Sequence, residues 1–307
     1  VRRFAEMMES RGHSVETYAG SEYSDHVGED IDGHWSPQDP WWFDMNSRVH
    51  AALKEKAEPG DFLALIMGLD QKILADSHPE LTPVEFGIGY QGVFAPYRVF
   101  ESYAWMHTIY GSQNPGPAAM CSPGQAYDTV IPNGYWPKEF PAGDGSGDYL
   151  LYMGRLTPMK GLSIVKALAE KSGLPLHIAG GGDIGLIPPG STYHGVVGPD
   201  ERAELLGNAR AVLVPTQYVE PFGGVHAEAL MSGTPVITSD WGAFTETVTN
   251  GVDGFRCRTE KDYLTAVDSA AGLDRKLIRR RAHARFGCKK VAERYESYFQ
   301  DVLEDVR

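Results

Sequence analysis

The sequence predicts an α/β protein made of two doubly wound, Rossmann-like halves facing across a cleft. Three observations predict it. Short apolar runs recur along the 307 residues, separated by helical patterns of about 10 to 15 residues, which is the rhythm of parallel strands joined by crossover helices. Several runs end in glycine-rich turns, among them Gly87-Ile-Gly-Tyr-Gln-Gly92, Gly180-Gly-Gly-Asp183 and Glu220-Pro-Phe-Gly-Gly224. A stretch of small residues, Pro141-Ala-Gly-Asp-Gly-Ser-Gly147, has the composition of a flexible linker. It places the domain boundary there, giving domains 1–147 and 148–288 and a C-terminal helix, 289–307, that can cross back to the first.

The elements follow in order. Val1, Phe4, Ala5 and Met8 have helical spacing, Gly12 is a stop, and Ser14-Val-Glu-Thr-Tyr18 alternates as a strand. This is the first helix and second strand of a doubly wound unit, so the expectation is that the first strand and its turn are missing from the chain. Residues 20–45 are acidic and rich in Gly, Trp and His, and read as a long loop whose tryptophans Trp35, Trp41 and Trp42 pack it down. A helix over 46–57 leads to a strand at Asp61-Phe-Leu-Ala-Leu-Ile-Met67, and a further strand lies near Pro83-Val-Glu-Phe-Gly87. The aromatic segment 97–107 fits packing, His107 included, and Thr129-Val-Ile-Pro-Asn-Gly134 closes this half. In the second half, strands are expected at 149–153, 175–179, 192–197, 211–215, 234–238 and 254–257. Helices are expected at 163–171, 199–208 and 243–249, with one opening at the central glycine turn and three helical stretches at the end.

Composition narrows the function. A hydrophobic content of 42% with 22% charged residues is ordinary for a soluble globular chain, no run of about 18 apolar residues exists, and the N-terminus lacks the layout of a signal peptide. The expected location is the cytoplasm. Cys121, Cys257 and Cys288 are scattered, odd in number and without a CxxC pair, which argues against a disulfide framework or a zinc site. Residues 1–140 hold 9 Lys and Arg against 20 Asp and Glu, leaving 19 against 21 for the rest of a chain whose net charge is -13. Such an acidic chain repels nucleic acid and anionic lipid. Neither is expected as a partner. The basic cluster Arg275, Lys276, Arg279, Arg280, Arg281 and Arg285 is read as a solvated helical face.

Chemistry concentrates on Glu220-Pro-Phe-Gly-Gly-Val-His-Ala-Glu228. A glycine turn between a strand and a helix presents unpaired N–H groups and partial positive charge at the sheet's end, where an anion binds. Glu220 falls before the helix and Glu228 about one turn inside it, so the two acids can grip different parts of one ligand. The competing structural account, two helix-start acids favouring the dipole, is worth about 0.3–1 kcal/mol each and is not excluded by spacing alone. Arg155 and Lys160 sit on a loop after a strand, placed to bring two cations to a diphosphate whose charge grows as it leaves.

Together these motifs are similar to the donor domain of retaining GT-B glycosyltransferases of family 4, the glycosyl transferases group 1. The resemblance rests on Gly154-Arg155 with Lys160-Gly161, Gly180-Gly-Gly-Asp183, Glu220 with Glu228, Ser232-Gly-Thr-Pro235, and Glu246 before Gly251-Val-Asp-Gly254. It spans residues 148–306, while the first half matches in layout and in Ile131-Pro-Asn-Gly134. The resemblance implies transfer of a hexose from a nucleotide-diphosphate sugar to a hydroxyl acceptor, with retention of configuration and the departing phosphate acting as base. It implies phosphate contacts by Arg155 and Lys160, ribose binding by Glu228, and Glu220 beside the transferred sugar. Gly154, Gly180, Val197, Phe222, Gly223, Gly224 and Val225 complete the implied donor pocket. No cofactor or metal is expected beyond the nucleotide sugar itself. Two alternatives stay open: a nonhydrolysing sugar-nucleotide epimerase of the same fold, and a catalytically silent donor-binding or scaffolding subunit.

Remaining signals weigh less. Asp30-Ile-Asp32 is a DxD triplet of the kind that holds a divalent cation, but no apolar strand precedes it. Paired carboxylates also suit a glycosidase, in which Arg155 and Lys160 would have no task. His26, His34 and His194 lack metal-ligand spacing, His226 is placed to line the donor pocket, and Glu246 to cap the helix after Trp241-Gly242. Acceptor, donor base and oligomeric state are not encoded in these motifs.

Overall fold

The computed structural model describes residues 1–20, 40–113, 116 and 124–306. The DxD triplet, His26, His34, Trp35 and Cys121 lie outside the described residues. Contacts divide the chain into two units: Val1–Glu101, Met106–Ile131 and Ala292–Arg307 form the first, Ser102–Trp105 and Pro132–Val291 the second.

The first unit carries α1 (Arg2–Glu9), α2 (Pro40–Lys56), β1 (Phe62–Leu65), α3 (Lys72–Ser77), β2 (Thr82–Ile88), β3 (Tyr97–Phe100), α4 (Tyr103–Gln113, from Met106 on) and β4 (Asp128–Val130). Its four strands are parallel in the order β1-β2-β3-β4. Helix α2 starts earlier than the periodicity suggests because Pro40 suits a first helical position. It buries Trp42, Asn46, Val49 and Leu53, one stripe at helical spacing.

Two expectations need correction here. Ser14–Tyr18 forms no strand: it pairs with no ladder and is exposed apart from the half-buried Val15 and Tyr18. Alternation without a neighbouring strand does not make a sheet. Conversely, Tyr97–Phe100 is a fully buried strand that the aromatic segment concealed, because Arg98 interrupts its apolar run. Asp128 lies opposite in register on β4, and the two are joined by bonds of 2.8 and 2.7 Å, with Tyr110 donating to the same carboxylate. The pair neutralises the charge inside the sheet. His107, expected to pack, is exposed on α4.

The second unit carries β5 (Leu150–Met153), α5 (Leu162–Ser172), β6 (Leu176–Ala179), β7 (Thr192–Tyr193), α6 (Pro199–Asn208), β8 (Ala211–Val214), α7 (Gly224–Met231), β9 (Val236–Ser239), α8 (Phe244–Thr247), β10 (Gly254–Cys257), α9 (Glu260–Ala270) and α10 (Arg275–Phe286). All six strands are parallel, in the order β10-β9-β8-β5-β6-β7. Both sheet faces are covered, so the strands read as continuous apolar runs. Leu151, Met153, Val212 and Val236 pack in one layer, and Leu150, Tyr152, Leu213 and Ile237 in the other. Strand β7 is shorter than expected, since Gly195 turns the chain away at φ 71°. Helix α11 (Cys288–Asp305) ends the chain, and its Tyr295 packs edge-on against Phe4 within the first unit.

The glycine-rich segment 141–147, read as a flexible linker, is fastened to the second unit. Gly143, Gly145 and Gly147 donate backbone N–H bonds to Ser232, Gly207 and Asn208. A Cβ on Gly143 would lie 2.0 Å from the Gly207 carbonyl oxygen, so small size here serves close backbone approach. The basic face of α10 is corrected with it. Arg275 is half-buried and donates to the carbonyls of Gly143, Gly207 and Ala209 and to the Thr234 hydroxyl. Arg281 pairs with Asp253 at 2.7 Å, while Arg285 bonds the carbonyls of Thr247 and Glu246. These guanidiniums satisfy loop carbonyls that sheet and helix leave over. Cys257 and Cys288 are buried.

Arg275→Ala removes the guanidinium from the carbonyls of Gly143, Gly207 and Ala209, of which Gly207 keeps the Gly145 N–H, and a loss of roughly 1–3 kcal/mol in unfolding free energy is expected from urea titration. A loss below about 0.5 kcal/mol, the level of an ordinary surface substitution, would return α10 to the solvated-face reading.

Candidate functional site

Strand order in the second unit reverses between β5 and β8, the place where an open α/β sheet leaves a crevice beyond its carboxyl ends. A pocket of about 240 Å³ lies there. It is lined by the end of β5 (Tyr152, Met153, Gly154 and Arg155), by Lys160, by the end of β8 (Leu213, Val214 and Thr216), and by Glu220, Gly223, Gly224 and Val225 at the start of α7. Glycine at Gly180 permits the approach of the two central turns. Its φ is 138°, and a Cβ there would meet the Gly154 carbonyl oxygen at 1.9 Å.

Glu220 is 6% exposed and held by several contacts. Lys160 Nζ donates to its Oε2 at 2.7 Å, and the Tyr218 hydroxyl donates to its Oε1 at 3.2 Å. The Lys160 ammonium also lies 4.9 Å from the centre of the Tyr218 ring. Ala243 N–H bonds the Glu220 carbonyl at 3.0 Å, and Gly242 leaves no room for a side chain against the Glu220 backbone, since a Cβ would lie 2.7 Å from its nitrogen. The acid expected beside the sugar and the cation expected on the phosphates therefore hold each other.

Seven expected residues come together at this pocket: Gly154, Arg155, Lys160, Glu220, Gly223, Gly224 and Val225. Gly180, Val197, Phe222 and Glu228 do not line it. Gly180 backs Gly154 from beneath, and Val197 packs on the core. Phe222 is 2% exposed, stacked on Tyr135 and edge-on to Phe286, so its ring anchors the start of α7 from inside. Glu228, one turn into α7 and 6% exposed, forms an ion pair with Arg202 of α6.

Two expectations fail on geometry. His226 does not reach the pocket: it is fully buried among Phe222, Phe244 and Phe286, with Nδ1 bonded to the Gly223 carbonyl at 2.6 Å. On a helix buried nearly all round, His226 lies about 200° around the axis from Glu228 and packs into the aromatic cluster. Glu246 caps the first residues of α4 instead of its own helix, accepting from Tyr103 N–H at 3.1 Å and Ala104 N–H at 3.0 Å. Sequence reasoning missed Tyr218 and Arg202. Neither belongs to a glycine turn, although Tyr218 stands two residues before Glu220. His194, expected at the surface or in packing, bonds His177 at 3.1 Å.

The fold is that of the GT-B glycosyltransferases. It is shared with sucrose-phosphate synthase from Thermosynechococcus elongatus, which aligns with a TM-score of 0.73 at 17% identity over 99% of this chain and 92% of that one. Anabaena HepE, solved in complex with UDP and glucose, aligns with a TM-score of 0.63 at 15% identity over 84% of this chain and 81% of that one. Residues 138–280 match the family of glycosyl transferases group 1. Glycogen synthase of Mycobacterium tuberculosis is 33% identical over 169 residues, which is 49% of this chain. The match spans 41% of that relative's length.

Burial pushes the His226 imidazole down to about 4, against the opposing pull of its bond to Gly223 and with the help of nearby Arg285. Above about pH 6.5 the ring is neutral both folded and unfolded, and contributes no pH dependence. As pH falls from about 6.5 to 4 the unfolded chain takes up a proton that the folded chain refuses, so stability drops by up to roughly 3 kcal/mol across that window. Urea titrations of the parent and of His226→Gln at pH 7.5, 6 and 5 are expected to show this acid-side loss in the parent and a flatter profile in the variant.

Proposed function

We propose that the protein transfers a hexose from a nucleotide-diphosphate sugar to a hydroxyl acceptor with retention of anomeric configuration, without a metal ion and in the cytoplasm. The observation that carries this reading is the Lys160–Glu220 pair at the winding reversal, with Arg155 and the start of α7 on the same pocket. A cationic loop and a helix N-terminus converging on one small volume suit a diphosphate. A carboxylate beside them suits the hydroxyls or the positive charge developing on a departing sugar. The match of residues 138–280 to glycosyl transferases group 1 and the UDP and glucose bound by the HepE neighbour support a nucleotide-sugar donor.

In this reaction Arg155 and Lys160 hold the two phosphates and stabilise the negative charge that grows as the glycosyl bond breaks. Glu220 steadies the sugar, and Glu228 accepts hydrogen bonds from the ribose diol in a bidentate fashion. The leaving phosphate oxygen takes the proton of the acceptor hydroxyl on the face it has just vacated, so the new bond forms on the same side. The cations bear the charge that a divalent ion would otherwise bear.

UDP-, GDP- and ADP-hexoses are screened first by thermal shift, where a donor at about 100 times its Kd adds roughly 2.7 kcal/mol of stability. With the donor so found, Lys160→Ala and Glu220→Ala are expected to lower turnover by about 10²–10³-fold, the cost of removing one preorganised electrostatic contact. Activity should persist in EDTA, and the product anomer read by NMR should match the donor's. Variants that turn over every donor as the parent does would overturn the assignment, and activity lost to EDTA and restored by manganese would overturn the metal-free reaction.

A further inference from the structure

Tyr218 contacts both members of the Lys160–Glu220 pair, and no sequence motif accounts for it. Its hydroxyl donates to Glu220 Oε1 at 3.2 Å while its ring carries the Lys160 ammonium 4.9 Å from its centre. Its own backbone is fixed, because Trp241 Nε1 donates to the Tyr218 carbonyl at 3.1 Å. The two oxygens of Glu220 are therefore divided, one to a phenol and one to an ammonium. The carboxylate side chain is 8% exposed, so water is a poor substitute for either donor.

We propose that Tyr218 is a positioning residue that keeps Glu220 in its working orientation when Lys160 changes partner. The inference rests on the reading that Lys160 serves the donor's diphosphate. A diphosphate entering the pocket competes with Glu220 for that ammonium. Once the ammonium is drawn away, the phenol hydroxyl is the donor that still fixes one carboxylate oxygen, and with it the rotamer. The ring holds the other end of the exchange, offering the ammonium a face against which to move without leaving the pocket. Tyr218 thus acts through Glu220 and Lys160 and needs no contact with the reacting atoms.

Tyr218→Phe keeps the ring and removes the hydroxyl, whereas Tyr218→Ala removes both. Each is assayed with whichever of UDP-, GDP- or ADP-glucose the parent turns over, and binding of the matching nucleoside diphosphate is measured by calorimetry. The expected result for Tyr218→Phe is a fall in kcat of about tenfold, the worth of one hydrogen bond to a charged group, with Kd for the diphosphate within about twofold of the parent. Tyr218→Ala is expected to weaken diphosphate binding as well. In thermal unfolding, adding Tyr218→Phe to Glu220→Gln is expected to cost clearly less than it costs the parent, because the carboxylate it serves is already gone. An unchanged kcat in Tyr218→Phe, or a thermal cost independent of Glu220, overturns the proposal while leaving the donor reading intact. A parent that neither binds nor turns over any of the donors overturns the donor reading, and this inference falls with it.

Discussion

The reversal of winding between β5 and β8 is the constraint on which the second unit depends. Strands added to one side of β5 and to the other side of β8 carry their connecting helices to opposite faces, so the chain leaves a gap at the carboxyl ends of the central pair. Backbone must come very close for that gap to be useful. Gly180 lies against Gly154, and Gly161 lies against Pro215, where a Cβ would sit 2.1 Å from the carbonyl oxygen. With side chains excluded from these crossings, the loops bearing Arg155, Lys160 and Glu220 reach one pocket of about 240 Å³.

Behind this pocket the packing is aromatic and neutral. Phe222 and His226 of the central motif turn into a cluster with Tyr135, Phe244 and Phe286. Burial keeps the imidazole uncharged at neutral pH, so α7 begins on a rigid apolar base that adds no cation beneath its N-terminus. Three buried carboxylates in the unit are each paired with a more exposed cation: Glu228 with Arg202, Asp253 with Arg281, and Glu220 with Lys160. Buried pairs of this kind add little net stability, but removing one member leaves an uncompensated charge, which fixes their geometry.

Much of this was legible because the pattern signals are local. Apolar runs announce a parallel sheet and glycine turns mark its carboxyl ends, while it was the resemblance to a known family that set Lys160 beside the Glu220 turn. What escaped depends on contacts between distant residues. Arg98 disguised β3 because only its bond to Asp128 makes a buried arginine tolerable. Arginines of α10 looked like a solvated face because their acceptors, such as the Gly207 carbonyl, lie far away in sequence. Phe222 and His226 sit inside the motif that defines the site yet face away from it, and periodicity cannot orient side chains on an eight-residue helix that is buried nearly all round. Tyr218 was hidden for the opposite reason: it is at the site but belongs to no turn that marks one.

The mutual satisfaction of Lys160 and Glu220 also bears on how the reaction ends. With Lys160 joined to Glu220, Arg155 and the start of α7 are left to attract an anion, so drawing Lys160 away as well takes a ligand that engages several parts of the site at once. In the proposed reaction the spent nucleoside diphosphate has lost the sugar that engaged Glu220, and the acid is then free to take its cation back. In that proposed reaction the contact a donor displaces on entry is the one whose return favours release of the product.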